Sequence, residues 1–348
     1  ADIRMTQSVT PADLLETLQP DETAIEYFTT GDELSAFVAR SGRISVVRNI
    51  ASRSRIEAVM TALRFQLEKF NYGSAYVEAY FGQLRRSTGE HLSGLYKLVF
   101  SPLEHLIDSE KLIIIPHAGL HYIPFHALFD GGEYLVDRFE ISRAPSSAVL
   151  KLCRSRRRSR NSGRMVALGV ADRGTPNIGD EIEELAALFP DAIKLTGSEA
   201  TQENLKRFAP EARFIHLASH GYFRRDNPMF SFLKLAGSRL NFYSLLDLKL
   251  NAEMVTLSAC HTGVNMVFPG DELHGLMRGF LYAGAPALVA SLWAVSDQST
   301  ADFMREMYSN IQQGLSKRAA LRRAQLTIKD VYGHPYYWAP FVLMGNPN

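Results

Sequence analysis

Cysteine is scarce in this chain: there are two among 348 residues, Cys153 and Cys260. A secreted domain built on disulfides needs more, so both thiols are expected free in a reducing, cytoplasmic compartment. Long apolar runs are also missing. None approaches the roughly 20 residues that a membrane helix requires, and the opening ADIRMTQSVTP lacks the apolar centre of a secretion leader. The chain starts at Ala1 rather than Met, so the missing leader carries little weight. Neither sign of charge is in excess, with 38 Lys and Arg against 37 Asp and Glu. A dedicated nucleic-acid binder carries surplus cations, so neither nucleic acid nor membrane is an expected partner. G-x-G-x-x-G, P-loop and G-x-S-x-G motifs are absent, which argues against nucleotide and serine-hydrolase chemistry. No repeat near 34 residues is found either.

What is present is a chain of 46% hydrophobic content, ample for a buried core. Its length suits roughly two domains of about 150 residues. Residues 1–19 read as a lead-in, with a helix starting at Thr10-Pro11 and ending before Pro20. In 20–150, strands are expected at 22–28 and 43–50, and 111–129 is expected to give a buried strand, a turn at Gly119 and an apolar return. Helices are expected at 56–70 and 94–107. Residues 151–163, KLCRSRRRSRNSG, break the composition. Their interleaved Arg and Ser predict a self-repelling, solvated linker. In 164–348, strands at 165–171, 192–197, 213–221, 253–263, 286–295 and 341–345 alternate with helices at 179–190, 201–210, 271–285, 299–314 and 317–333. A hairpin falls at 230–242, around Gly237-Ser238. That alternation predicts an α/β fold with a mostly parallel sheet covered on both faces.

Open parallel sheets build their sites beyond the carboxyl ends of the strands. His220 ends RFIHLASH and Cys260 ends EMVTLSAC. If those strands are neighbours, an imidazole and a thiol face one another above the sheet. Thiol catalysis needs that pairing, because the attacking species is the thiolate and an unassisted Cys is only a few per cent ionised at neutral pH. Gly221 would let its N–H, with that of Cys260, hold a tetrahedral oxyanion; one such donor is typically worth roughly 3–4 kcal/mol of barrier. On residue types alone, a packed core Cys and a structural loop His remain open.

His216 and His220 form an H-x-x-x-H spacing, a metal pair if the segment is helical. Phe214, Ile215 and Leu217 favour a strand, on which the two rings lie about 13 Å apart. No metal and no cofactor is therefore expected. His261 should face away from Cys260 on an extended strand. Trp293, Phe223 and Tyr222 read either as pocket walls or as core, and Cys153 as a half-buried structural thiol.

At these residues the sequence resembles the CHAT peptidases, caspase-like clan CD domains related to separase and often fused to TPR repeats. The motifs are HLASHG (216–221), TLSACHTG (256–263), DELHGLMRGFLYAGAPALVASLWAVSDQST (271–300) and YYWAPFVLMGNP (336–347). LIIIPHAGLHYIPFHAL (112–128) resembles the family's P-D-G-x-L segment, with His117 where Asp is usual, and the PSSAVL run (145–150) fits as well. The resemblance implies a caspase-like three-layer fold in two halves: 20–150 degenerate and 164–348 active, with 1–19 the stub of a missing TPR array. It implies His220 as general base, Cys260 as nucleophile and Gly221 in the oxyanion hole. It places Asp297 in an S1 pocket for Arg or Lys at P1, with Asp271 and Glu272 as secondary candidates. The competing reading of Asp297 is a helix N-cap, and that of Asp271 and Glu272 is first-turn helix acids.

The implied function is a cysteine endopeptidase cutting a protein substrate after a basic residue, switched on by a regulatory partner or TPR region in a bacterial defence or signalling pathway. With a basic P1 preference, the Arg-rich run 154–160 becomes a substrate within the chain's own linker; otherwise it is a passive solvated loop. The alternatives are a non-catalytic caspase-like interaction domain and a thiol enzyme acting on small molecules.

Overall fold

The computed structural model describes residues 9–156, 164–171, 175–222, 230–258, 279–294 and 297–348. Its strands are β1 (Glu22–Thr30), β2 (Glu33–Arg40), β3 (Arg43–Ser52), β4 (Lys111–Ile115), β5 (Glu140–Arg143), β6 (Met165–Gly169) and β7 (Ile193–Thr196). They continue with β8 (Phe214–Ala218), β9 (Gly221–Tyr222), β10 (Phe232–Leu235), β11 (Ser238–Asn241), β12 (Met254–Ser258), β13 (Ala287–Ser291) and β14 (Phe341–Gly345). Among the described residues, eleven strands form one sheet in the order β3-β2-β1-β4-β5-β14-β13-β12-β8-β6-β7. The sheet runs unbroken from the strands of the expected first half to those of the second. The C-terminal strand β14 stands at the seam, antiparallel to β13 and meeting β5 at Met344 and Arg143. β6, β8, β12 and β13 are joined by parallel ladders, and so are β1, β4 and β5.

These strands are apolar on both faces because helices cover both. β6, β8 and β12 are buried at every position, as parallel strands between two helical layers must be. Helices Arg53–Glu68 and Ser74–Val99 cover one face of β1 to β3 through Ile56, Met60, Leu63, Leu84 and Leu92. The lead-in helix Pro11–Thr17 covers part of the other face. It starts in a capping box between Thr10 and Asp13, and Leu14 packs with Ala24, Ala39, Ile113 and Leu150.

Several expectations need correction. The helix expected from Gly94 begins twenty residues earlier, at Ser74. β2 and β5 were not anticipated. The apolar return after Gly119 is a pair of 3₁₀ turns, Ala118–Tyr122 and Phe125–Ala127.

The solvated linker does not begin at residue 151. Helix Ser147–Ser155 runs through Cys153, which is 1% exposed rather than half-buried. Burial pushes its thiol pKa up to about 11, so this sulfur stays protonated and inert. Arg154 reaches into the fold, and both Glu22 carboxylate oxygens accept from its guanidinium at 2.7 Å. Glu22 is fully buried and also accepts from Arg318 at 3.1 Å. Arg156 donates to the Ala285 carbonyl at 3.3 Å. The run therefore holds its first two arginines, both partly buried, against specific acceptors. Residues 157–163 lie outside the described set.

Candidate functional site

The site is built on two neighbouring strands. FIHLA (214–218) and MVTLS (254–258) pair in parallel, with Phe214 opposite Met254 and Ala218 opposite Ser258. Their adjacency is what an imidazole–thiol pair requires. His220 lies two residues past the carboxyl end of β8 and is 4% exposed. Cys260, two residues past Ser258 in sequence, lies outside the described residues, as do His261, Asp271, Glu272 and Phe223. The structure therefore brings together the strands that lead to His220 and Cys260, and does not describe the pair itself.

His220 is pinned by a second, three-stranded sheet ordered β11-β10-β9. Its carbonyl accepts from the Lys234 N–H at 2.9 Å. Gly221 pairs with Leu233, and Tyr222 with Phe232. The β10–β11 hairpin turns at Ala236-Gly237, where Gly237 adopts φ 66°, a value that favours glycine. The loop carrying the proposed base is thus tied by backbone hydrogen bonds to a hairpin sixteen or so residues on in sequence.

The H-x-x-x-H spacing resolves into two different histidines. His216 is fully buried within β8, and its Nε2 lies 2.8 Å from Glu181 Oε1. Glu181 is 3% exposed, on the inward face of helix Ile178–Ala187 with Ile178, Ile182 and Leu185. The Tyr308 ring packs edge-on to His216, and its hydroxyl donates to Thr256 Oγ1 at 2.7 Å. A buried polar group needs such partners. A carboxylate in a helix's first turn normally faces solvent and the helix dipole; the sequence signal that Glu181 turns inward is its place at i+3 from Ile178, on the apolar stripe. Among the described residues, no cluster of three or more His, Cys, Asp or Glu side chains could hold a metal.

Helix Asp297–Gln312 begins at Asp297, two residues earlier than expected, so Asp297 stands in its first turn. The Asp297 side chain lies outside the described set. Trp293 is core: it is buried, and its Nε1 donates to the Tyr336 carbonyl at 3.0 Å. Tyr222 is 47% exposed and stacks on Phe232 at 4.8 Å. His117 Nδ1 accepts from the Thr29 N–H at 3.2 Å, a contact within the first half. Among the described residues, no helix is long and apolar enough to cross a membrane.

Comparison with known proteins gives a consistent picture. A structure of the separase–securin complex of Saccharomyces cerevisiae is similar over 96% of this chain and 30% of that one, with a TM-score of 0.67 and 12% identity. The Arg-specific cysteine proteinase gingipain R is similar over 85% of this chain and 75% of that one, with a TM-score of 0.51 and 10% identity. At such identities the likeness is one of fold. In sequence, Tetratricopeptide repeat protein 28 of Mus musculus and of Homo sapiens are each 26% identical to it, over 73% of this chain. The chain spans 13% of the length of those relatives. The family model described as the CHAT domain matches residues 89–346, well over half of the sequence. The chain belongs to the CHAT domain family.

Proposed function

We propose that the chain is a cysteine endopeptidase that cuts a protein substrate after Arg or Lys. The observation carrying this reading is the parallel pairing of β8 with β12, ending at Ala218 and Ser258. His220 and Cys260 each follow by two residues. The separase-like and gingipain-like fold supports the same reading.

In this mechanism the His220 imidazole takes the Cys260 thiol proton. The thiolate adds to the scissile carbonyl carbon, and the carbonyl electron pair becomes an oxyanion. The Gly221 and Cys260 N–H groups hold that oxyanion. Collapse expels the amine, which takes its proton from the imidazolium, and leaves a thioester. Water, deprotonated by His220, then hydrolyses the thioester and restores the thiol. Asp297 pairs with the cationic P1 side chain, with Asp271 and Glu272 as secondary candidates. The chain's likeness to Tetratricopeptide repeat protein 28 supports a tetratricopeptide-repeat region as the regulatory partner.

The test is labelling with a peptidyl electrophile bearing Arg or Lys at P1. Wild type is expected to be labelled on Cys260, with Cys260→Ala silent and His220→Ala slowed more than a hundredfold. No labelling by any electrophile supports a non-catalytic interaction domain. Labelling by non-peptide electrophiles alone supports a different thiol enzyme. Asp297→Asn is expected to lower kcat/KM for Arg reporters by at least tenfold more than for neutral ones.

A further inference from the structure

The small sheet that pins His220 has two faces of opposite character. On its inner face Leu233, Leu235 and Leu240 are buried. On its outer face the register sets Tyr222 and Asn241 beside Phe232, and Arg239 opposite Lys234. Carried one step further, the same alternation places Phe230 beside Tyr243, and their rings lie 6.0 Å apart. Tyr222, Phe230 and Tyr243 are about half exposed. The Arg239 guanidinium lies over the Phe232 ring, 4.5 Å from its centre. The result is one aromatic and cationic face, on which, among the described residues, the register sets no acidic side chain.

We propose that this face docks the protein substrate through a segment outside the scissile bond that carries acidic side chains beside aromatic or aliphatic ones. The proposal rests on the peptidase reading and adds to it where the substrate is held. Two features argue for this occupant. The first is continuity: β9 begins at Gly221, directly after His220, and the His220 carbonyl is held by Lys234 of the same sheet. A polypeptide lying across the proposed site and continuing past Gly221 meets this surface next. The second is charge: the exposed Arg239 favours carboxylates, while the rings supply the rigid aromatic contacts that anchor interfaces. Contiguous exposed aromatics of this kind mark interaction sites, whereas scattered ones need no explanation.

The test uses the Cys260→Ala chain, so that binding is read without cleavage. Fluorescence anisotropy follows a labelled twelve-residue peptide alternating Glu with Phe and Tyr, and a second with Lys replacing Glu. The acidic peptide is expected to bind and to weaken as salt rises, and the Lys peptide to bind at least tenfold more weakly. Arg239→Glu combined with Tyr243→Ser, both exposed substitutions, is expected to weaken the acidic peptide at least tenfold. Equal binding by this variant, or no binding up to millimolar peptide, overturns the proposal. So does self-association of the parent chain that the variant abolishes, since the occupant is then a second copy. A short Arg reporter, cleaved by the Cys260-containing chain with and without the two substitutions, tests the peptidase reading by itself. Equal kcat/KM is expected, and absence of cleavage with docking intact refutes that reading alone.

Discussion

If the Arg-rich run is cut by the chain's own chemistry, it should be cut between molecules and not within one. The reason is reach. Arg164 lies at the amino-terminal edge of the parallel strands, where its carbonyl accepts from the Arg213 N–H at 2.8 Å. Arg156 is held at the same edge through the Ala285 carbonyl, two residues before β13. His220 lies at the opposite edge, seven residues beyond Arg213, or about 23 Å along the strand. Arg160 is four residues from each anchor and can stand at most about 14 Å from either. Arg157 and Arg158 are tethered more closely to Arg156. By chain length alone, a bond next to Arg157, Arg158 or Arg160 stays short of the His220 edge while the anchors hold. Wild type mixed with tagged Cys260→Ala chain should cut the tagged copy as readily as itself. The fraction cut per minute should rise tenfold with a tenfold increase in wild-type concentration. Cleavage at a concentration-independent fractional rate, with the tagged copy left intact, would refute the reasoning.

Three predictions concern the frame that holds the site. Glu22→Gln leaves Arg154 and the 1% exposed Arg318 without their shared carboxylate; breaking a buried pair this way costs about 3–5 kcal/mol. Urea unfolding should show that loss, and should show Arg318→Met adding less than its own cost in the double variant; full additivity would deny the coupling. Burial, with Arg143 nearby, lowers the pKa of His126 to about 3, and burial lowers that of His334 to about 4. Both are neutral in the folded chain, so between pH 6.5 and those values the unfolded state binds more protons and stability falls as pH falls. At pH 5 each contributes a loss of about 2 kcal/mol relative to neutral pH. His126→Asn should flatten the pH 5–7 stability slope, and an unchanged slope would contradict the burial argument. Gly284 adopts φ 122°, and a Cβ there would sit 2.2 Å from the Leu250 carbonyl oxygen. Gly284→Ala should cost more than about 1 kcal/mol, which a thermal melt of intact and substituted chains will read.

The alternating order of elements after residue 164 was legible because each strand is a short apolar run bounded by polar or Gly-containing turns. Helix Ser74–Val99 was legible only from Gly94, because SAYVEAYFGQLRRSTGEHLS holds two glycines and several hydroxyl residues with modest helix propensity. Packing outweighs that propensity: Val77, Leu84, Thr88, Leu92 and Leu95 all turn inward. β5 is four residues long, too short for a periodic signal. The start of the linker was misread for a different reason. Composition reports what a run of arginines does in water, and says nothing of a buried glutamate at residue 22 waiting to receive one of them.

The two histidines of H-x-x-x-H show where reading a site from residue types stops. Burial does not separate them: His216 is 0% exposed and His220 4%. Their positions relative to the sheet do. His216 stands inside β8, enclosed by Glu181 and Tyr308, and a strand buried on both faces offers no path for a substrate to reach it. His220 stands past the last ladder pair, where the backbone is handed from β8 to β9 and is held by hydrogen bonds from the hairpin instead of by parallel neighbours. A base there can be fixed in place by its backbone while its surroundings are shaped by loops rather than by the sheet. The sequence contains that distinction only through the position of Gly221, and the strand order that sets β12 beside β8 depends on contacts no local pattern encodes.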